Sequence, residues 1–122
     1  MVSGFRDAFP ILYVEDVERA VDFYVSLLGF EVKVSVAGGG AGELQFAFLE
    51  LEPLGIGVGR RHEHSAGEFE LCVYADDMDA AAERLREAGT EELMPPQDEP
   101  WGERRAYFRD RDGHLIHLAM PL

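Results

Sequence analysis

Two stretches of this chain follow one plan, and that repeat limits the possible folds more than any other feature. "VEDVERAVDFYVSLLGF" (14–30) and "ADDMDAAAERLREAG" (75–89) each run from a strand end through an Asp into a helix and stop at a Gly. Asp16 and Asp77 are placed as helix caps, because a short carboxylate accepts the free backbone N–H groups of the first turn and complements the helix dipole. Gly29 and Gly89 end the helices by allowing a left-handed residue. Between these points Val17, Val21, Tyr24 and Leu28 share one helical stripe, as do Met78, Ala82, Leu85 and Ala88. Both helices are therefore expected to lie on a sheet.

Around each helix the apolar period falls to two, as strands require. Segment 9–14 precedes the first helix, and 31–36, 44–51 and 54–60 follow it. Segment 68–75 precedes the second; a weak stretch at 91–94, then 104–109 and 114–120, follow it. The order is β-α-β-β-β, twice. A unit of roughly sixty residues holds too little core to stand alone. The expected fold is α+β, a single domain over residues 1–122 with modules at about 5–61 and 67–122. The two βαβββ modules are expected to form a curved mixed sheet around a concave groove, with the helices outside.

Charge and composition remove several classes of function. A formal net charge of −13 argues against nucleic acid or anionic membrane, since both need basic patches to displace counterions. It permits a cationic ligand, and it also serves solubility. With 47% hydrophobic and 29% charged residues, the chain has no stretch near the ~18 apolar residues of a membrane span. "MVSGFRDAFPILYV" lacks the basic-then-apolar pattern of a signal peptide, so a cytoplasmic location is expected.

Four local features are assigned bland roles. "AGGGAG" (37–42) lacks the Lys-Ser/Thr of a phosphate loop and is expected to be a mobile hairpin loop. "GIGVG" (55–59) leads into "RRHEHSAGE" rather than a helix, which speaks against dinucleotide binding, and the pair His62 and His64 is a polar connection without further metal ligands. Cys72, the one cysteine, lies in the apolar run "FELCVY" and is expected to behave as a small buried hydrophobe.

The paired modules, with "DVERAVDFYVSLLGFEV" in the first and "PWGERRAYFRDRDGHLIHL" in the second, resemble the vicinal oxygen chelate superfamily. That superfamily includes glyoxalase I, extradiol dioxygenases, fosfomycin resistance enzymes and bleomycin resistance proteins, and the likeness covers nearly the whole chain. In its enzymes the resemblance implies a divalent metal held by His and Glu side chains that project into the groove. The implied ligand positions fall here on Phe9, on Ile56 or Gly57, on Glu70 and on His117. Only Glu70 and His117 can donate, against the three protein ligands a catalytic metal commonly needs. No metal or other cofactor is therefore expected, with a divalent ion on Glu70 and His117 as the alternative.

Strand parity supports this placement independently. If Glu70, Cys72 and Tyr74 face the groove, then Phe69, Leu71 and Val73 form an apolar row for the helix side. By the same alternation His117 faces the groove while Ile116 and Leu118 join the core. Phe9, Ile11 and Tyr13 would line the groove from the first strand, and Arg105, Tyr107 and Arg109 from another.

"EPWGERRAYFRD" and "GHLIHL" look most like the bleomycin resistance branch, which implies a dimer whose groove sequesters a cationic, aromatic molecule without altering it. Trp101 at the Pro-Trp-Gly corner would offer a stacking surface, and Glu70, Asp98, Glu99 and Glu103 the attraction to a cation. Arg105 and Arg109 on the same face would favour an anionic ligand instead, which leaves the sign open. The expected function is metal-free binding of a hydrophobic or aromatic small molecule by a homodimer. Two enzymatic alternatives stand beside it: a metal-dependent lyase, isomerase or dioxygenase, and a metal-free enzyme with His117 as general base oriented by Glu70.

Overall fold

The structure, a computed structural model, describes residues 4, 7–38, 42–65 and 67–122. The middle of "AGGGAG", residues 39–41, and with it the expected loop, lies outside the described residues. The chain divides into two compact units, Met1–Gly67 and Glu68–Leu122.

The first unit runs β1 (Ile11–Val14), α1 (Val17–Leu28), β2 (Glu31–Gly38), β3 (Glu43–Leu51) and β4 (Leu54–Arg60). Its sheet has the order β1-β4-β3-β2, with β1 and β4 parallel and the other pairs antiparallel. Asp16 caps α1 by accepting the Arg19 N–H at 3.1 Å, and Gly29 ends it at φ +83°. The buried face of α1 is Val17, Ala20, Phe23 and Tyr24, whereas Val21 and Leu28 are only half-buried. The expected stripe is thus rotated by about one residue, because two large aromatics claim the core. Phe23 meets Tyr24 edge-on at 5.1 Å, and Tyr24 meets Phe30 at 5.8 Å.

"GIGVG" acquires a structural role in β4. Ile56 and Val58 are buried, while Gly55 and Gly57 lie beneath the rings of Phe48 and Phe46. A Cβ on Gly57 would stand 2.8 Å from Phe46, closer than carbon atoms tolerate, and 3.1 Å from Ile11, a tight contact. The glycines therefore let the two phenylalanine rings rest on bare backbone.

The second unit repeats the plan: β5 (Glu70–Tyr74), α2 (Met78–Glu87), β6 (Glu91–Glu99), β7 (Glu103–Arg109) and β8 (Leu115–Pro121). Its strand order, β5-β8-β7-β6, is the same, with β5 and β8 parallel. Two mixed sheets, each carrying one helix, make the fold α+β. Asp77 caps α2 through the Ala80 N–H at 3.1 Å, and Met78, Ala82 and Leu85 are buried. Ala88 is exposed, contrary to the expected stripe, because the helix ends at Glu87 and Gly89 turns the chain at φ +80°.

Strand β6 is longer than the four residues expected. It passes through Pro95 and Pro96 to Glu99, which its place at the sheet edge and a register shift between Met94 and Gln97 allow. At the other end of β7, buried Asp110 accepts the N–H groups of Asp112 at 2.9 Å and His114 at 2.8 Å, holding the Asp-Gly turn. His114 Nδ1 accepts the Phe69 N–H at 3.1 Å and ties this turn to the head of β5. Among the described residues no helix is long and apolar enough to cross a membrane.

Candidate functional site

The sheet of the second unit has two unlike faces. On one, Leu71, Ala106, Phe108, Ile116 and Leu118 are buried, several of them fully. On the other, register places Tyr107 opposite His117, Arg105 opposite Gln97 and Ala119, and Cys72 opposite His117. Glu70, Cys72, Tyr74, Arg105, Tyr107, Arg109 and His117 therefore share the face away from the core, and Trp101 joins them from the β6–β7 turn.

A continuous row of flat groups runs along this face. Tyr107 and His117 stack at 4.6 Å and 29° between planes. The Arg105 guanidinium lies 5.3 Å from the centre of the Tyr107 ring and 4.9 Å from that of Trp101. Such contacts contribute about 0.5–1 kcal/mol each at exposed sites. Trp101 is 59% exposed, and its Nε1–H donates to Glu103 at 3.3 Å.

Carboxylates surround the row. His117 Nδ1 stands 3.6 Å from Glu70 and Nε2 3.9 Å from Glu103, within ion-pair reach but too far for hydrogen bonds. Nε2 is buried and makes no hydrogen bond among the described residues. Glu70 and His117 thus sit diagonally on the adjacent strands β5 and β8. Parallel register puts Glu70 beside Leu115, two residues from His117, and long side chains span that diagonal. Glu99, with only a tenth of its side chain exposed, receives Gln97 Nε2–H at 2.6 Å and stands 3.4 Å from Arg105 Nε.

Arg109 is largely spent inside the molecule. It donates to the Gly113 carbonyl at 2.9 Å and to Glu68 at 3.3 Å. With Glu68, Glu70, Glu99 and Glu103 against Arg105 and Arg109, the face is acidic. Asp98 does not belong to it. Alternation turns Asp98 toward Arg104, which it meets at 2.9 Å and which also holds Asp79 of α2 at 2.9 Å. Gln97 escaped the sequence reading; its only signal was the period of two that sets it on one face with Glu99.

Cys72 corrects another expectation. It is exposed, because Leu71 takes the helix-facing position and strict alternation puts the next residue on the open face. Its thiol nevertheless sits partly against the sheet, and this desolvation, then the charges of Glu103 and Glu70, raise its pKa above that of an ordinary thiol. Iodoacetamide at neutral pH is expected to label Cys72 severalfold more slowly than free cysteine, and Glu103→Gln to speed the reaction. Labelling at the rate of free cysteine would contradict the assignment.

In the first unit, Ile11 and Tyr13 flank the glycine strip of β4, and Phe9, 44% exposed, meets Phe48 edge-on at 4.9 Å. Tyr13 packs edge-on against His62 at 5.0 Å. A concavity of about 320 Å³ lined by Glu15, Asp16, Glu18, Glu43, Leu44 and Arg60 is polar, and its Arg60 is already bound to Glu43 at 3.0 Å.

Of the positions that the family resemblance implies for a metal, only Glu70 and His117 carry donor side chains. Phe9 and Gly57 have no donor side chain, Ile56 is fully buried, and Glu70 and His117 supply two ligands that face one another. Among the described residues no group of three or more His, Cys, Asp or Glu is arranged to hold an ion.

Comparison with known proteins places this geometry in context. No curated protein matches the chain. TioX from Micromonospora sp. ML1 shares the fold with a TM-score of 0.77 at 27% identity, over 96% of this chain and 97% of its own. TnmS3, an antibiotic binding protein from Streptomyces sp. CB03234, gives 0.75 at 28% identity, over 99% and 100%. Lactoylglutathione lyase from Agrobacterium tumefaciens, at 18% identity and a TM-score of 0.73 over 97% and 96%, has the same fold. Residues 8–118 match the family model named Glyoxalase/Bleomycin resistance protein/Dioxygenase superfamily, and this chain belongs to that superfamily.

Proposed function

We propose that the protein is a metal-free, antibiotic-sequestering binder of an aromatic, cationic small molecule, acting as a homodimer in the cytoplasm. The observation that carries this reading is the Trp101–Arg105–Tyr107–His117 row, exposed at its Trp101 end and set among carboxylates. Flat groups favour an aromatic ligand, and the acidic surround favours a cation. TnmS3, an antibiotic binding protein similar over its whole length, supports the same reading. The burial of His117 Nε2 speaks against a general base, which needs an open nitrogen within reach of its substrate.

The test is a titration of tryptophan fluorescence with a bleomycin-type cationic glycopeptide, for which Trp101, the one tryptophan, is a site-specific reporter. Saturable quenching is expected. Elemental analysis after dialysis against nickel, zinc, manganese and iron(II) is expected to find no stoichiometric ion. About one ion per chain, lost in Glu70→Ala or His117→Ala, would overturn the reading in favour of a metal enzyme.

The dimer is supported by apolar side chains open to water on the face of the first sheet that Phe46 and Phe48 share. Val34 is 51% exposed there and Val36 48%. Sedimentation showing a monomer at micromolar concentration would remove it.

A further inference from the structure

We propose that Arg105 is a built-in plug: in the free protein it fills a slot for a planar organic cation, and the ligand's own cation displaces it. This rests on the small-molecule reading of the same face and narrows the ligand class to an amidinium, a guanidinium or a protonated aromatic amine.

The slot has the chemistry of a cation site on three sides. Trp101 and Tyr107 both address the guanidinium carbon, at 4.9 and 5.3 Å. The third side is Glu99, a carboxylate with a tenth of its side chain exposed, oriented by Gln97 and 3.4 Å from Arg105 Nε. Two aromatic faces and a desolvated carboxylate attract a flat cation whatever molecule carries it.

Arg105 fills this slot without being well bonded in it. Its Nε is buried and makes no hydrogen bond among the described residues, and Nη1 makes one long bond, 3.2 Å to the Tyr107 hydroxyl. A guanidinium carries five donors, and water would satisfy all of them. With a quarter of its side chain already exposed, Arg105 has a way out to solvent. A ligand cation on a larger ring would cover more of Trp101 and Tyr107 than the guanidinium does, so exchange favours the ligand.

The experiment compares proflavine, a planar aromatic cation, with 9-anthracenecarboxylate, an anion of similar size. Each is titrated by fluorescence anisotropy into wild type, Arg105→Ala and Glu99→Gln, with circular dichroism checking the fold. Arg105→Ala is expected to bind proflavine about tenfold tighter and Glu99→Gln about tenfold weaker, with the anion weak throughout. Should Arg105→Ala not fold, the loss in Glu99→Gln carries the test alone. Binding of the anion by wild type and its loss in Arg105→Ala would make Arg105 a fixed anion contact and overturn the plug. Proflavine bound equally by all folded proteins would also overturn it while leaving the small-molecule reading intact. Neither probe binding any of the three would remove both.

Discussion

Phe108→Ala is expected to lower stability by about 3–5 kcal/mol, whereas Tyr107→Ala, one residue earlier, is expected to cost about 1–2 kcal/mol. Phe108 is fully buried on the helix side of β7, and the surrounding core cannot collapse into the space its ring would leave. Tyr107 faces the other way, half-buried, and its losses are the stack on His117 and the contact with Arg105. Ligand binding should show the reverse order, weakened in Tyr107→Ala and retained by whatever fraction of Phe108→Ala stays folded. Urea denaturation followed by circular dichroism measures the first quantity and ligand titration the second. Similar stability costs for the two variants would mean that the strand does not present one core face and one open face. Because a domain holds only ~5–15 kcal/mol in all, the larger cost could leave a sizeable share of the variant unfolded at room temperature.

What could be read from the sequence was whatever depends on neighbours along the chain. Asp16, Asp77, Gly29 and Gly89 act where they were expected because capping and helix termination are settled within one turn. Alternation sorted Leu71 from Cys72 and Ile116 from His117 for the same reason. The misses all involve register or volume. Apolar neighbours suggested that Cys72 was buried, yet its own parity exposes it. Asp98 passes to the helix side because its partner across the β6–β7 hairpin is Arg104, a pairing fixed by where the Pro-Trp-Gly corner turns. Gln97 and Glu99 gain meaning only once that hairpin lays them beside Arg105. The face of α1 rotated because Phe23 needed room, and a hydrophobic period counts residues without weighing their size.

The second large effect concerns Trp101. Trp101→Ala is expected to weaken binding of the aromatic ligand by about 10- to 100-fold, equivalent to about 1.4–2.8 kcal/mol, while stability changes by less than about 1 kcal/mol. With 59% of its surface in water, the indole buries too little to be a core residue, and its hydrogen bond to Glu103 is an exposed one. What it does have is one face 4.9 Å from a guanidinium and a position at the open end of the Tyr107–His117 stack. Since the variant loses the only tryptophan, calorimetry must replace fluorescence, and Trp101→Phe serves as the conservative control, expected to keep most of the affinity. An indole that merely closed the β6–β7 corner would give the opposite pair of numbers, a cost above about 2 kcal/mol in stability with the affinity unchanged. That result would move the binding surface away from the Trp101–Arg105 end of this face.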